Sequence, residues 1–162
     1  MQMTDKETLQ ETIGECLGLE RAAQRAVDEL DSKGLLKPEA KKRIMGMQKD
    51  ANGHEEKLQK LVENVTESEE LDSQSIEDHA KEIVEKTSEI MKTYLGEDPD
   101  ELDAMEFLCI AEGGEVAHYE VLLKLASGVK DKKFATGVRA ILQEEKKHVA
   151  LCIQLAKKAA VE

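Results

Sequence analysis

A four-residue motif, Glu145-Lys146-Lys147-His148, combines two kinds of side chain that bind metal ions. Residues three apart lie on one face of a helix, so Glu145 and His148 can bind one metal ion, or two adjacent ions, from a single turn. The pattern alone is weak, because an acidic helix can contain it by chance. Its meaning depends on the helices that would face it.

Similar polar residues interrupt the apolar faces of three other predicted helices. Each face, followed at alternating steps of three and four residues, is apolar except near the middle of the helix. The interrupting residues are Glu20, His54, Glu112, Glu115, Glu145 and His148. No Lys or Arg occupies these faces. Since the interruptions fall at about the same height on all four helices, we expect the six side chains to meet inside the protein.

Buried carboxylates need a compensating charge. An ionised carboxylate in an apolar interior costs roughly several kcal/mol unless it is paired, and neighbouring carboxylates raise one another's pKa. Bound divalent cations would remove this cost. Carboxylate oxygens combined with imidazole nitrogens suit iron, manganese or zinc better than calcium or magnesium. The alternatives are an incidental surface pair at Glu145 and His148, or a core histidine satisfied by other groups.

The composition predicts an all-α protein with a single domain over residues 1–162. Charged residues make up 36% of the chain and aromatic residues 2%, and there are only two prolines, so strong helix formers dominate. Start and stop signals divide the sequence into five helices, at about 5–31, 38–65, 75–95, 99–127 and 131–160. The fourth is predicted to start with Asp98 as its cap and Glu101 completing a capping box.

The helix at about 75–95 is shorter than the other four and has its own apolar face. Residues at helical spacing on this face are Ile76, Ala80, Ile83, Thr87, Ile90 and Tyr94. A four-helix bundle whose second and third members run parallel needs a connection as long as the bundle. We therefore predict a four-helix bundle in which this helix is the crossover between two helical hairpins.

The charge and the cysteine pattern exclude several classes of function. A net charge of −12 argues against binding to nucleic acid or to an anionic membrane surface. No apolar run is long enough for a membrane span, and the N-terminus lacks the hydrophobic segment of a signal peptide. Cys16, Cys109 and Cys152 are odd in number and far apart, which is typical of reduced, packed thiols. We therefore expect a cytoplasmic protein.

The segment Glu112-Gly113-Gly114-Glu115, together with the motif Glu145-Lys146-Lys147-His148 that begins 33 residues after Glu112, closely resembles the second half of the rubrerythrin-type di-iron proteins. Glu20 and His54 match the family's first-half ligands. The resemblance implies a ferritin-like fold in which two iron ions are held by Glu20, His54, Glu112, Glu115, Glu145 and His148. Residues 50–61 and the run Ala117-His118-Tyr119-Glu120 are also similar to ferritin-like stress proteins of a family known by an uncharacterised-domain label.

The chain departs from the family pattern at two places. Ala51 stands where the family has a glutamate that bridges the two metals, and the adjacent Asp50 lies about 100° around the helix. The four cysteines of a rubredoxin portion are also missing, so sulfur-ligated iron cannot pass electrons inward. His118 is expected to be structural or to orient a ligand, His79 to be exposed, and Tyr119 to fill core space or hydrogen-bond a ligand.

Two functions remain open. The favoured one is an oxidoreductase or iron-handling protein that oxidises iron or reduces dioxygen or peroxide, with an unidentified electron donor. The alternative is an oligomeric, stress-associated helical protein whose metal site is degenerate, as Ala51 suggests. An iron-storage shell is the least favoured. For either of the first two we expect a homo-oligomer, taken to be a dimer.

Overall fold

The computed structural model describes residues 2–162, apart from the side chains of residues 3 and 4. Five α-helices account for nearly all of this part of the chain, which contains no strand. The helices are α1 (Met3–Ser32), α2 (Pro38–Glu69), α3 (Ser73–Leu95), α4 (Glu101–Ala126) and α5 (Lys132–Val161). The predicted all-α class is confirmed. Over the described residues, none of these helices combines the length and apolarity that a membrane span requires.

Side-chain contacts give the relative directions of the four long helices. On α1 and α2, Gln48 bonds Asp28 while Glu55 bonds Arg21, so the two helices are antiparallel. In the contacts between α2 and α5, and in those between α5 and α4, residue numbers rise along one helix as they fall along the other. Both of these pairs are therefore antiparallel as well. It follows that α2 and α4 run in the same direction. The chain must therefore travel back along these helices before α4 begins.

The helix α3 packs against α1 and runs parallel to it. Two glycines of α1 allow the close approach, because a Cβ atom at Gly14 would lie 2.6 Å from the carbonyl oxygen of Ile76, and one at Gly18 would lie 2.5 Å from that of Ala80. Any larger residue at either position would push the helices apart. α3 is thus held alongside α1 by contact of the two backbones.

The predicted face of α3 is correct only in its first half. Ile90 and Tyr94 are exposed, and the buried residues are Ile76, Ala80, Val84, Met91 and Leu95. The buried face advances mainly by steps of four, which form a ridge inclined to the helix axis, as expected for a helix that packs mainly on one neighbour. Alternating steps of three and four would have followed the axis itself.

Two predicted helix ends also differ from the structure. α2 continues past 65 to Glu69, because Val65 and Glu69 are buried and the chain turns only at Glu70, which has φ 57°. α4 is capped by Asp100, whose carboxylate accepts from the Asp103 N–H while Asp103 accepts from the Asp100 N–H, both at 2.9 Å. The prediction of Asp98 and Glu101 was wrong.

The core is divided into two apolar clusters along the four long helices. One contains Ile13, Leu58, Leu122 and Ile141, and the other contains Val27, Met47, Leu108 and Leu155 among its members. Cys16 and Cys152 are buried and Cys109 is half-buried, and all three are free thiols. The polar residues of the candidate site lie between the two clusters, at the level where the apolar faces are interrupted.

Candidate metal centre

All six side chains predicted to bind metal are buried. None of Glu20, His54, Glu112, Glu115, Glu145 and His148 is more than 6% exposed. Each lies near the middle of a long helix, so the backbone that carries it is fixed by the apolar residues on either side. The prediction that these six side chains are withdrawn from water is therefore confirmed, although it did not include Glu69, whose carboxylate is also buried.

Glu145 of α5 lies between the two histidines. Its Oε1 atom is 2.6 Å from Nδ1 of His54, and its Oε2 atom is 3.2 Å from Nδ1 of His148. The centroids of the two imidazole rings are 5.7 Å apart. One carboxylate is therefore shared by two imidazoles that approach it from α2 and from α5 itself.

Two groups of three potential ligands form around this shared carboxylate. The first group is Glu20, His54 and Glu145, and the second is Glu112, Glu145 and His148. Within each group the ligand atoms lie within 4.8 Å of one another. Each group offers oxygen and imidazole nitrogen donors, which is a suitable set for iron, manganese or zinc.

Three buried carboxylate oxygens in the site accept no hydrogen bond from the described part of the chain. Among the described residues, the buried atoms Oε2 of Glu20, Oε2 of Glu112 and Oε1 of Glu115 make no hydrogen bond. Buried polar atoms are normally satisfied, and leaving one unsatisfied costs about 1–3 kcal/mol. Two of these atoms belong to the two ligand groups, one in each. The residues present therefore fit a pair of cations.

Tyr119 and Glu115 lie beside the two groups. The hydroxyl of Tyr119 is fully buried and donates a hydrogen bond of 2.8 Å to Oε1 of Glu20, so this residue both fills the core and orients a potential ligand. Glu115 is not brought into either group. Burial, and next the neighbouring charge of Glu112, raise the pKa of Glu115 well above its usual value.

Two carboxylates that the sequence reasoning did not assign to the site close it from outside. Oε2 of Glu144 is 2.5 Å from Nε2 of His54, and Oδ2 of Asp50 is 3.1 Å from Nε2 of His148. Both side chains are more than half exposed, at 53% and 55%. Both residues lie on polar helix faces, so they do not interrupt an apolar face and could not be found in that way. Asp50 therefore contacts the outer edge of a histidine and does not occupy the place of the bridging acid missing at Ala51.

The remaining histidines lie outside the site. Nδ1 of His118 is 2.7 Å from the carbonyl oxygen of Gly114, and its Nε2 is 3.4 Å from Glu15. This agrees with a structural role, as expected. His79 is half-buried where α3 meets α1, although the sequence predicted that it would be exposed. Neither residue belongs to a group of potential metal ligands.

Removing either outer carboxylate, that of Glu144 or that of Asp50, is expected to weaken metal binding only by the group whose histidine it contacts. Each accepts the Nε2–H of a histidine and so leaves Nδ1 directed at Glu145. Glu144→Ala should weaken binding by the group containing His54, and Asp50→Ala by the group containing His148, each by about 10–100-fold. Competitive Zn²⁺ titration, with the histidine resonances assigned by NMR, measures each position. Glu56→Gln, at an exposed acid of α2 that belongs to neither group of potential ligands, is the control and should change neither affinity.

Without a metal, the site can partly neutralise itself. Burial acts to lower the pKa of His54, but the carboxylates of Glu145 and Glu20 outweigh it and raise that pKa to about 11. Glu112 and Glu145 likewise outweigh burial and raise the pKa of His148 to about 10. Burial acts to raise the pKa of Glu145, and the hydrogen bonds from His148 and His54 lower it. Protonated imidazoles therefore supply positive charge that the sequence reasoning had assigned to bound cations alone.

The stability of the metal-free protein is expected to fall as pH rises from about 5 to 9. Burial raises the pKa of Glu20, Glu112 and Glu115, so the folded state holds protons that the unfolded state loses above its ordinary carboxyl pKa. The two histidines act in the same direction, because they release protons near pH 6.5 when unfolded but only near 10–11 when folded. Urea unfolding of metal-free protein across this range measures the trend. A flat or rising profile would show that these side chains are not buried together.

Comparison with curated proteins and with solved structures gives no match. One family model does match, and it covers residues 4–162. This range contains all five helices but for the first residue of α1, and every residue of the candidate site. The chain therefore belongs to the family described as Domain of unknown function (DUF892).

Proposed function

We propose that the protein binds two metal ions, iron in the first instance, and oxidises iron or reduces dioxygen or peroxide. The observation that carries the proposal is the position of Glu145, whose two oxygens face the two histidines, 2.6 Å from His54 and 3.2 Å from His148. A carboxylate shared in this way is suited to bridging two cations. The unsatisfied oxygens of Glu20 and Glu112 supply one further ligand on each side.

Each residue has a definite part in this proposal. Glu20 and His54 would hold the first ion, Glu112 and His148 the second, and Glu145 both. Iron at these positions would supply one-electron oxidation and reduction toward dioxygen or peroxide. Tyr119 fixes the orientation of Glu20 through its hydrogen bond, and Glu144 and Asp50 fix the two imidazole rings from outside. The apolar clusters on both sides keep bulk water away from the ligands.

The proposed architecture is a ferritin-like four-helix bundle of α1, α2, α4 and α5, with α3 as the crossover. Two observations support this architecture. The helices α2 and α4 run in the same direction, and α3, which connects them in the sequence, lies alongside α1. The ligand residues also come from all four of these helices and none comes from α3. In iron oxidation the Fe²⁺ substrate supplies the electrons, whereas repeated reduction of dioxygen or peroxide needs them from another molecule. The proposal therefore includes an external electron donor for the second reaction.

Anaerobic titration with Fe²⁺, followed by exposure to dioxygen or peroxide, tests the proposal. We expect about two ions to bind per chain, as in other two-metal sites, and the bound iron to oxidise faster than free Fe²⁺ at the same pH. Zn²⁺ should compete for the same two positions, which gives a readout that does not depend on redox chemistry. Binding of fewer than one ion per chain, or oxidation no faster than in buffer, would contradict the proposal.

Ala51 favours a second function, that of a stress-associated helical protein whose metal site is degenerate. Ala51 is buried at 4% exposure on the helix face where a bridging acid would lie, and protonated His54 and His148 can neutralise the interior without metal. Thermal unfolding of protein prepared with and without metal separates the two functions. The di-metal function predicts a clear increase in Tm on loading, and the alternative predicts equal values.

A further inference from the structure

The outer side of α4 carries a stripe of residues at helical spacing. The outer stripe consists of Glu106, Ile110, Gly113, Ala117, Val121 and Lys124. Ile110 and Val121 are 51% and 52% exposed. On either side of the stripe, His118 contacts α1 and Glu120 contacts α5. Glu106, at the start of the stripe, accepts a hydrogen bond of 3.0 Å from Tyr94 of α3, so the stripe faces away from the neighbouring helices from Ile110 onwards. It is an apolar surface with one charged residue at each end.

Internal packing does not explain the two glycines at the centre of this helix. A Cβ atom at Gly113 or Gly114 would meet no atom within 4 Å among the described residues, whereas one at Gly14 or Gly18 would collide with α3. Glycine inside a helix is less favourable than alanine. Glycine allows another backbone to come close, and no described residue of this chain does so at Gly113. Gly46 and Gly53 of α2 are equally open, so the glycines of α4 count only together with the exposed apolar residues beside them.

The outer stripe is complementary to the same stripe of a second chain that runs in the opposite direction. In an antiparallel pair of α4 helices centred between Gly113 and Ala117, Glu106 of one chain faces Lys124 of the other. Ile110 then faces Val121, and Gly113 faces Ala117. A twofold axis makes each of these contacts twice. The stripe extends over about 27 Å at 1.5 Å per residue, which is long enough for a substantial interface.

The adjacent helix α5 adds an apolar residue to the same surface. Lys146 and Glu120 contact each other at 2.7 Å, and the two helices are antiparallel, so the residue of α5 level with Gly113 is Ile153. Its side chain is 43% exposed. The surface therefore combines large apolar side chains around a region where the helix backbone is accessible.

We propose that two copies of this chain form a twofold dimer through the outer stripe of α4, with the two α4 helices antiparallel. The net charge of −12 on each chain opposes association, but the stripe carries equal numbers of positive and negative residues, and salt screens the remaining repulsion. Dimerisation by this surface does not depend on the metal centre, because the stripe lies on the opposite face of α4 from Glu112 and Glu115.

Sedimentation equilibrium of the metal-free full-length chain tests the surface. The unaltered protein is expected to dimerise, and Val121→Asp should raise the dimer dissociation constant by about tenfold or more by placing a charge in the apolar contact. Gly113→Leu should also dissociate the dimer while leaving the monomer folded, since leucine is the better helix former. Met45→Asp, at a partly exposed apolar residue of α2, is the control and should remain dimeric. A monomeric unaltered protein, or equal dissociation by Met45→Asp, overturns the proposal.

Charge reversal tests the antiparallel pairing. Glu106→Lys and Lys124→Glu should each weaken the dimer, because each places like charges opposite one another. The double variant restores opposite charges and should recover most of the lost affinity. Circular dichroism of each variant establishes that the helices persist. If the double variant is as weak as the single ones, the two copies do not pair in this register.

Discussion

Replacing Glu145 by glutamine is expected to abolish metal binding at both positions, reducing metal content from about two ions per chain to almost none. Glu145 is the one side chain common to both ligand groups, so its loss removes a ligand from each. Glutamine keeps the size of the side chain but cannot carry the charge that neutralises bound cations. Metal analysis after loading and desalting measures the effect. Two ions in this variant would place the site elsewhere.

Single-position variants are the matched controls for this prediction. Glu20→Gln should affect mainly the ion held with His54, and Glu112→Gln mainly the ion held with His148. Both should therefore retain about one ion per chain, whereas Glu145→Gln should retain none. A loss of both ions in all three variants would instead indicate that the helices no longer pack.

Introducing glutamate at Ala51 is expected to make the protein depend on metal. Ala51 is buried and precedes His54 by three residues on the same face of α2, where the resembled family has a bridging glutamate. Without metal, a further buried acid should destabilise the fold by roughly 1–3 kcal/mol. With metal, the new carboxylate adds a ligand, so Ala51→Glu should bind the two ions more tightly than the unaltered protein does.

Ala51→Gln separates charge from volume in this experiment. It introduces nearly the same bulk and so should cause the same steric strain, but it provides no anion to bind cations. Thermal unfolding with and without Zn²⁺ should show a larger metal-dependent increase in Tm for Ala51→Glu than for Ala51→Gln. Equal increases would mean that position 51 does not face the bound ions.

The apolar periodicity predicted most of each helix and the burial of the six candidate side chains. A carboxylate at mid-helix on an apolar face, such as Glu20 or Glu145, is conspicuous because it breaks a pattern of several turns. The five helices were placed from start and stop signals, and the errors lie mainly at their ends. At the start of α4 several acids compete for the cap, and only the reciprocal bonds of Asp100 and Asp103 decide between them.

Other parts of the site depend on contacts between helices, which periodicity does not encode. Glu144 and Asp50 lie on polar faces, and only the packing of α2 against α5 brings them to the histidines. The buried face of α3 is determined by its close contact with Gly14 and Gly18 of α1, and not by the alternating steps of three and four residues along its own sequence. The protonation of His54 and His148 likewise follows from distances to Glu145 that no spacing in the sequence gives.

Diffraction from crystals of iron-loaded protein, collected at the iron absorption edge, tests the central claim most directly. The account predicts two anomalous peaks between α1, α2, α4 and α5, one beside Glu20 and His54 and one beside Glu112 and His148, with Glu145 touching both. Crystals that contain iron only at surface acids, or in which Glu20, Glu112 and Glu145 point into solvent, would contradict it.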